Sequence, residues 1–199
     1  MFDPVKPFPV KITSGGQKEC ILRWPTDEQW AQRARETKVI RRVLGGGYTK
    51  RERTTSVEAS RKLFAAVHVS GGEQFDEFEQ SAAINKLDRS EVTEVARKAD
   101  LFRITMKVAG GHTVSHRLRV PTLRQAFNYE NRAATVMDHR RTQEIQMFLE
   151  PSATLWDAIS DGAEGYAEGA AVPITHKDAA VMELLAAMAE QEDEPDPEA

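Results

Sequence analysis

The stretch LRWPTDEQ at residues 22–29 returns as LRVPTLRQ at residues 118–125, a constant shift of 96 positions. In both copies Leu, Arg, Pro, Thr and Gln recur at the same places, and their chemistry defines a joint between two elements. Apolar and polar residues alternate up to each proline, the period of a strand with one buried face. Proline has no N–H for a ladder and ends the strand. Thr26 with Gln29, and Thr122 with Gln125, then have capping-box spacing. The threonine hydroxyl accepts from an early helical N–H while the glutamine reaches back to the threonine backbone. Asp27 and Glu28 suit the positive start of a helix.

Upstream of the first copy, Val10 to Thr13 alternates, Gly15-Gly16 turns, and a second strand runs from Lys18 to Trp24. Upstream of the second copy, Ile104, Met106 and Val108 alternate, Gly110-Gly111 turns, and His116, Leu118 and Val120 alternate back. Gly15, Leu22, Arg23, Pro25, Thr26 and Gln29 thus meet Gly111, Leu118, Arg119, Pro121, Thr122 and Gln125. An even shift preserves strand parity, so Leu22 and Leu118 are expected to face inward, with Arg23 and Arg119 on the opposite face. Downstream, Trp30, Ala34, Ile40 and Leu44 predict a helix stopped by Gly45-Gly46-Gly47, and Leu123, Phe127, Ala134 and Met137 predict its counterpart. Strands are expected over 52–57 and 144–149. Amphipathic helices are expected over 61–67 and 153–159, and again over 76–87 and 176–185.

These readings predict an α+β protein of two related units, each a β-hairpin followed by a helix, a strand and short helices, arisen by internal duplication. The units span 1–90 and 91–189, and residues 190–199 form an acidic tail with the composition of disorder. Trp24, Trp30 and Trp156 lie on apolar stripes and are expected in the core. With 199 residues and 40% hydrophobic content, the chain can bury a substantial core. No apolar run approaches the roughly 20 residues needed to cross a bilayer. The segment MFDPVKPFPVK lacks the charged region and apolar run of a secretory signal. The expectation is a cytoplasmic protein without a membrane partner.

Cys20 is the only cysteine, which excludes an intrachain disulfide and a thiolate zinc cluster and fits a buried strand position. Gly45 to Lys50 departs from a phosphate-binding loop, which needs a preceding strand and a lysine directly after its last glycine. His112 and His116 flank a predicted turn, where extended strand geometry separates them by roughly 13 Å. His68, His139 and His176 sit in unrelated segments. No serine occupies a nucleophile elbow. The sequence therefore predicts no catalytic residue, no metal ligand set and no cofactor.

Charge is distributed unevenly. The formal net charge is -4, yet from Arg33 to Arg53 eight basic residues oppose two acids, and from Glu183 to Ala199 seven acids face no base. The basic residues Arg33, Arg35, Lys38, Arg41, Arg42, Lys50, Arg51 and Arg53 are candidate partner-binding residues. Their partner is an acidic protein surface or, as the alternative, nucleic-acid phosphates.

The hairpin VKITSGGQKECILRWP followed by an arginine-rich proline-threonine helix resembles small proteins of tailed-bacteriophage and prophage morphogenesis, tail assembly chaperone-like proteins in particular. That resemblance implies a non-enzymatic protein, in the host cytoplasm or associated with the virion. It would bind other phage structural or assembly proteins, with a homo-oligomer also open, and use no cofactor. The duplication and the acidic C-terminus depart from the family pattern.

Overall fold

The computed structural model describes the backbone of residues 1–13, 17–44, 48–54, 57–139 and 142–192, and their side chains outside 38–54, 137–144 and 191–192. Within these residues the chain is α+β, with three antiparallel sheets and six helices.

The first hairpin pairs β1 (Phe8–Thr13) with β2 (Gln17–Leu22) from Phe8↔Leu22 to Thr13↔Gln17. Phe8, Val10 and Ile12 turn inward and the intervening residues outward. After Pro25, helix α1 (Asp27–Glu36) starts on the expected capping box: Gln29 N–H donates to Thr26 Oγ1 at 3.2 Å, and Thr26 N–H to Gln29 Oε1 at 2.9 Å. The helix ends sooner than its apolar stripe suggests. Thr37 donates its N–H to the Arg33 and Ala34 carbonyls and leaves helical geometry at φ -90° and ψ 116°. Ile40 and Leu44 therefore belong to a strand, β3 (Lys38–Leu44), which pairs with β4 (Tyr48–Thr54). The β-branched Val39, Ile40 and Val43 favour this outcome. The strand expected over 52–57 lies earlier, and Val57 opens α2 (Val57–Val67). The glycines 14–16 and 45–47, which the sequence assigns to a turn and a helix stop, lie outside the described residues.

A short strand, β5 (His68–Gly71), returns alongside β2 and completes the sheet β1-β2-β5. Helix α3 (Glu77–Leu87) follows, with its own capping box between Asp76 and Glu79. Lys18 Nζ reaches Glu79 at 2.6 Å, tying β2 to α3, and this hydrogen bond holds the Glu79 carboxyl below the usual carboxylate range.

The second half begins with a strand that has no counterpart in the first, β6 (Glu91–Lys98). It pairs with β7 (Leu101–Lys107), which turns at Gly110 and Gly111, both at positive φ, into β8 (Thr113–Arg119). Helix α4 (Leu123–Ala133) carries the second expected capping box, Thr122 with Gln125. It too ends early, and Ala134 and Met137 lie in β9 (Ala134–His139). Strand β10 (Thr142–Met147), helix α5 (Glu150–Ile159), strand β11 (Ser160–Glu164) and helix α6 (Ile174–Glu192) complete the chain. Helix α6 extends through Glu192, so the first residues of the expected tail are helical, and 193–199 lie outside the described residues.

Apart from β6, the second half follows the element order of the first: hairpin, helix, hairpin, helix, short strand, helix. The short strand pairs with the second hairpin strand in both halves, β5 on β2 and β11 on β8. Residues 96 apart also do parallel work. Arg23 donates to the Ala66 carbonyl at 2.9 Å and Arg119 to Asp161 at 2.7 Å, while Leu22 and Leu118 beside them are fully buried.

The two second hairpins join in one sheet ordered β4-β3-β10-β9. The joint sets Lys38 to Arg42 against Gln146 to Thr142. One continuous apolar core spans both halves, with Leu22, Trp30 and Ile84 joined to Phe102, Ile104 and Leu118. Each such buried side chain contributes about 2 kcal/mol relative to exposure. Trp30 is fully buried, and Trp24 and Trp156 pack against the core.

Candidate functional site

Among the described residues, one group of titratable side chains meets in the core, and no spacing in the sequence announces it. Trp156 Nε1–H donates to His116 Nδ1 at 3.1 Å, and Tyr166 Oη lies 3.1 Å from both His116 Nε2 and His176 Nδ1. The indole can only donate, so His116 Nδ1 is an acceptor and its proton sits on Nε2. That N–H donates to Tyr166 Oη, which leaves the tyrosine hydroxyl to donate to His176 Nδ1. The chain of donors is therefore ordered, with both imidazoles neutral. Burial pushes His116 down to about 4, and burial with the neighbouring His116 pushes His176 down to about 3. Burial also raises the Tyr166 hydroxyl above its usual range.

This network fastens distant segments to β8. Phe2 is fully buried against it, with ring centroids 4.8 Å from His176 and 5.9 Å from Tyr166. Its backbone pairs with Gly165 and Ala167. His116 and His176 are sealed, and neither imidazole is poised to exchange protons near neutral pH. The arrangement is a satisfied polar core, as expected for buried polar groups that must all find partners.

Cys20 is buried, and burial followed by the Glu19 charge raises its thiol to about 11, far from a reactive thiolate. The His112 ring lies near-perpendicular to Phe2, with centroids 6.2 Å apart, while His116 serves the network, so the two histidines do different work. Among the described residues no group of three or more His, Cys, Asp or Glu side chains could hold a metal ion. Among them, too, no helix is long and apolar enough to cross a membrane.

The candidate basic residues divide into two sets. Arg33 is not on an exposed face: with 9% of its surface accessible, it bonds Asp88 at 2.8 Å, Ser60 at 3.3 Å and also Asn85, and its guanidinium lies over Trp30. Arg35 pairs with Glu150, and its carbonyl accepts from Gln146 Nε2 at 2.7 Å. Both are committed within the fold, because α1 lies between α2 and the second half. Lys38, Arg41 and Arg42 lie in β3, and Lys50, Arg51 and Arg53 in β4; their side chains fall outside the described residues. The ladder sets Arg41 opposite Arg51 and Arg42 opposite Lys50. Like charges directly across a ladder repel, so this hairpin favours an anionic neighbour. From Lys38 onward the basic feature is thus a strand hairpin, where the sequence reading placed a helix followed by a glycine-rich loop.

The surface also carries apolar residues that periodicity assigns to the core. Leu123 is 91% exposed and Phe127 65%, one turn apart on the same face of α4. Val136 on β9 is 52% exposed, and Phe78 at the start of α3 is 67% exposed. The corresponding positions of α1 are Asp27 and Ala31. Asp27 accepts from Ile174 N–H at 2.9 Å, and Ala31 is buried. At the shift of 96 positions Leu123 stands where the first half has Asp27, and Phe127 where it has Ala31, and this difference is the sequence signal that could have found this surface.

Comparison with protein-family models, with curated proteins and with solved structures finds no match for this chain.

Proposed function

We propose that the protein is non-enzymatic and acts through protein-protein contacts in phage or prophage virion assembly. The observation that supports contact as its mode of action is the exposed pair Leu123 and Phe127. Large apolar side chains one turn apart on a helix mark an interaction surface when they are left bare. The buried His-Tyr-His chain supports the same reading from the other side, since the most capable chemical groups are sealed into the core. The phage context rests on the resemblance of the hairpin and helix to morphogenesis proteins. Its partners are other structural or assembly proteins, met in the host cytoplasm or on the virion.

One observation favours a second reading, a nucleic-acid-binding regulator. Six basic residues sit on the β3–β4 hairpin at one end of the four-stranded sheet, and this number of lysines and arginines suits a phosphate backbone. A salt series in a gel-shift assay separates the two. The assembly reading predicts no binding to DNA or RNA at physiological salt. Tight binding that weakens steeply with salt, each neutralised phosphate adding about 0.9 to the logarithmic slope on duplex DNA, would establish the regulator instead. The neighbouring genes test the phage context: tail, capsid or packaging genes support it, and a metabolic operon overturns it.

A further inference from the structure

We infer that the chain assembles head-to-tail with copies of itself, the outer edge of β9 in one copy pairing with the outer edge of β4 in the next. This deepens the protein-contact reading by naming a partner, a second copy of this chain, and does not depend on the phage context.

The first support is the order of the shared sheet. Strands β3 and β9 open the second hairpin of their halves, and β4 and β10 close it. In the order β4-β3-β10-β9, the opening strand of one hairpin meets the closing strand of the other. A twofold arrangement would pair like with like. The observed joint is heterologous, and a heterologous joint leaves its two complementary halves unused at the ends. Among the described residues those ends are β9, an opening strand paired only with β10, and β4, a closing strand paired only with β3. Unpaired strand edges are templates for further pairing.

The register follows from the joint that already exists. Lys38 to Arg42 lie opposite Gln146 to Thr142. Residue 38 corresponds to 134 by position in the repeat, and 53 to 146 by hairpin register, since Lys38 faces Thr54 and Ala134 faces Met147. Repeating the joint between copies sets Ala134 opposite Arg53, Val136 opposite Arg51 and Asp138 opposite Thr49. Charge agrees. Strand β3 carries Lys38, Arg41 and Arg42 and faces β10 with Glu144; β4 carries Lys50, Arg51 and Arg53 against Glu52 and would face β9 with Asp138. Both joints unite a basic strand with an acidic one, whereas β4 on β4 would oppose like charges.

The exposed apolar residues provide the second, independent support. Inside the chain, α1 is covered by the half that follows it: Asp27 meets the start of α6, and Arg35 meets Gln146 and Glu150. Helix α4 occupies the equivalent place, and among the described residues its Leu123 and Phe127 stand exposed. Leu123 stands at the position of Asp27, and Phe127 at that of the buried Ala31. The element that would cover them in the next copy is α3, whose second residue is the exposed Phe78. Three bare apolar side chains therefore fall on the two surfaces that the repeated joint brings together.

Sedimentation velocity over a concentration series, up to roughly millimolar protein where weak pairing registers, tests this with three proteins. The wild type is expected to grow from monomer to dimer and longer species. Leu123→Glu/Phe127→Glu blocks the α4 end, and Phe78→Glu/Arg51→Glu blocks the β4 end. Each alone is expected to associate at least about tenfold more weakly than the wild type. An equimolar mixture retains one good end on each protein and is expected to stop at a 1:1 dimer. Far-ultraviolet circular dichroism establishes that both variants are folded. A wild type that stays monomeric overturns the self-pairing while leaving the binding of other proteins to its own test. A folded variant that dimerises alone as strongly as the wild type, or folded variants that fail to form the mixed dimer, also overturns it.

Discussion

Lowering the pH from 7 to 5 should destabilise this fold by about 4 kcal/mol, through two histidines alone. His116 and His176 are fully buried and neutral, with folded values near 4 and near 3 against an ordinary value of 6.5. In the unfolded chain both imidazoles take up a proton near pH 6.5, and in the folded chain neither does at pH 5. The unfolded state therefore binds more protons in this window, and stability rises with pH there. The contribution is complete above about pH 6.5 and declines as the pH falls toward the folded values. At about 1.4 kcal/mol per pH unit, each histidine costs close to 2 kcal/mol at pH 5 relative to pH 7. That is a large part of the roughly 5–15 kcal/mol that holds a typical domain. Urea denaturation at low protein concentration measures it directly, with both midpoints read by the same probe. A difference below about 1 kcal/mol would refute the neutral, sealed network, as would an imidazole of the folded protein titrating near 6.5 by nuclear magnetic resonance.

Two substitutions probe the same architecture. Tyr166→Phe removes the hydroxyl that bridges the two imidazoles and should cost about 2–4 kcal/mol, since a donor on His116 and an acceptor on His176 lose their partner; a near-neutral urea midpoint would contradict the donor order. Arg33→Ala removes bonds to Asp88, Asn85 and Ser60 from a buried position and should cost about 2–4 kcal/mol, whereas Arg35→Ala at a part-exposed ion pair should cost less than about 1 kcal/mol. Equal losses at the two arginines would show that their burial does not differ as described.

The local grammar of this fold is written plainly in the sequence. Thr26 with Gln29 and Thr122 with Gln125 make their capping boxes, and the parity of Leu22 with Arg23 and of Leu118 with Arg119 follows from alternation. Each depends only on neighbours within a few residues. Lys38 to Leu44 reads differently because its apolar spacing fits a helix as well as a strand, and its choice is settled by pairing with β4 and with β10, whose partners lie 100 residues away. Leu123 and Phe127 have the spacing of a buried stripe, yet both are exposed, because burial depends on which element packs over α4 and not on spacing alone. Arg33 looks like one of a basic row until Asn85 and Asp88 are brought beside it. The network of His116, Trp156, Tyr166 and His176 draws on β8, α5, a loop and α6, with no spacing that a linear reading could recognise. The β3–β4 hairpin remains a basic feature, but its charge is divided between the edge strand β4 and the inner strand β3, which changes what a partner would meet.

Backbone hydrogen exchange in β4 and β9, compared between dilute and concentrated protein, tests the head-to-tail joint most directly. The account predicts that amides in residues 134–138 and 49–53 exchange more slowly as concentration rises, while those of β1 and β7 do not change. Equal exchange at both concentrations in 134–138 and 49–53 would contradict it.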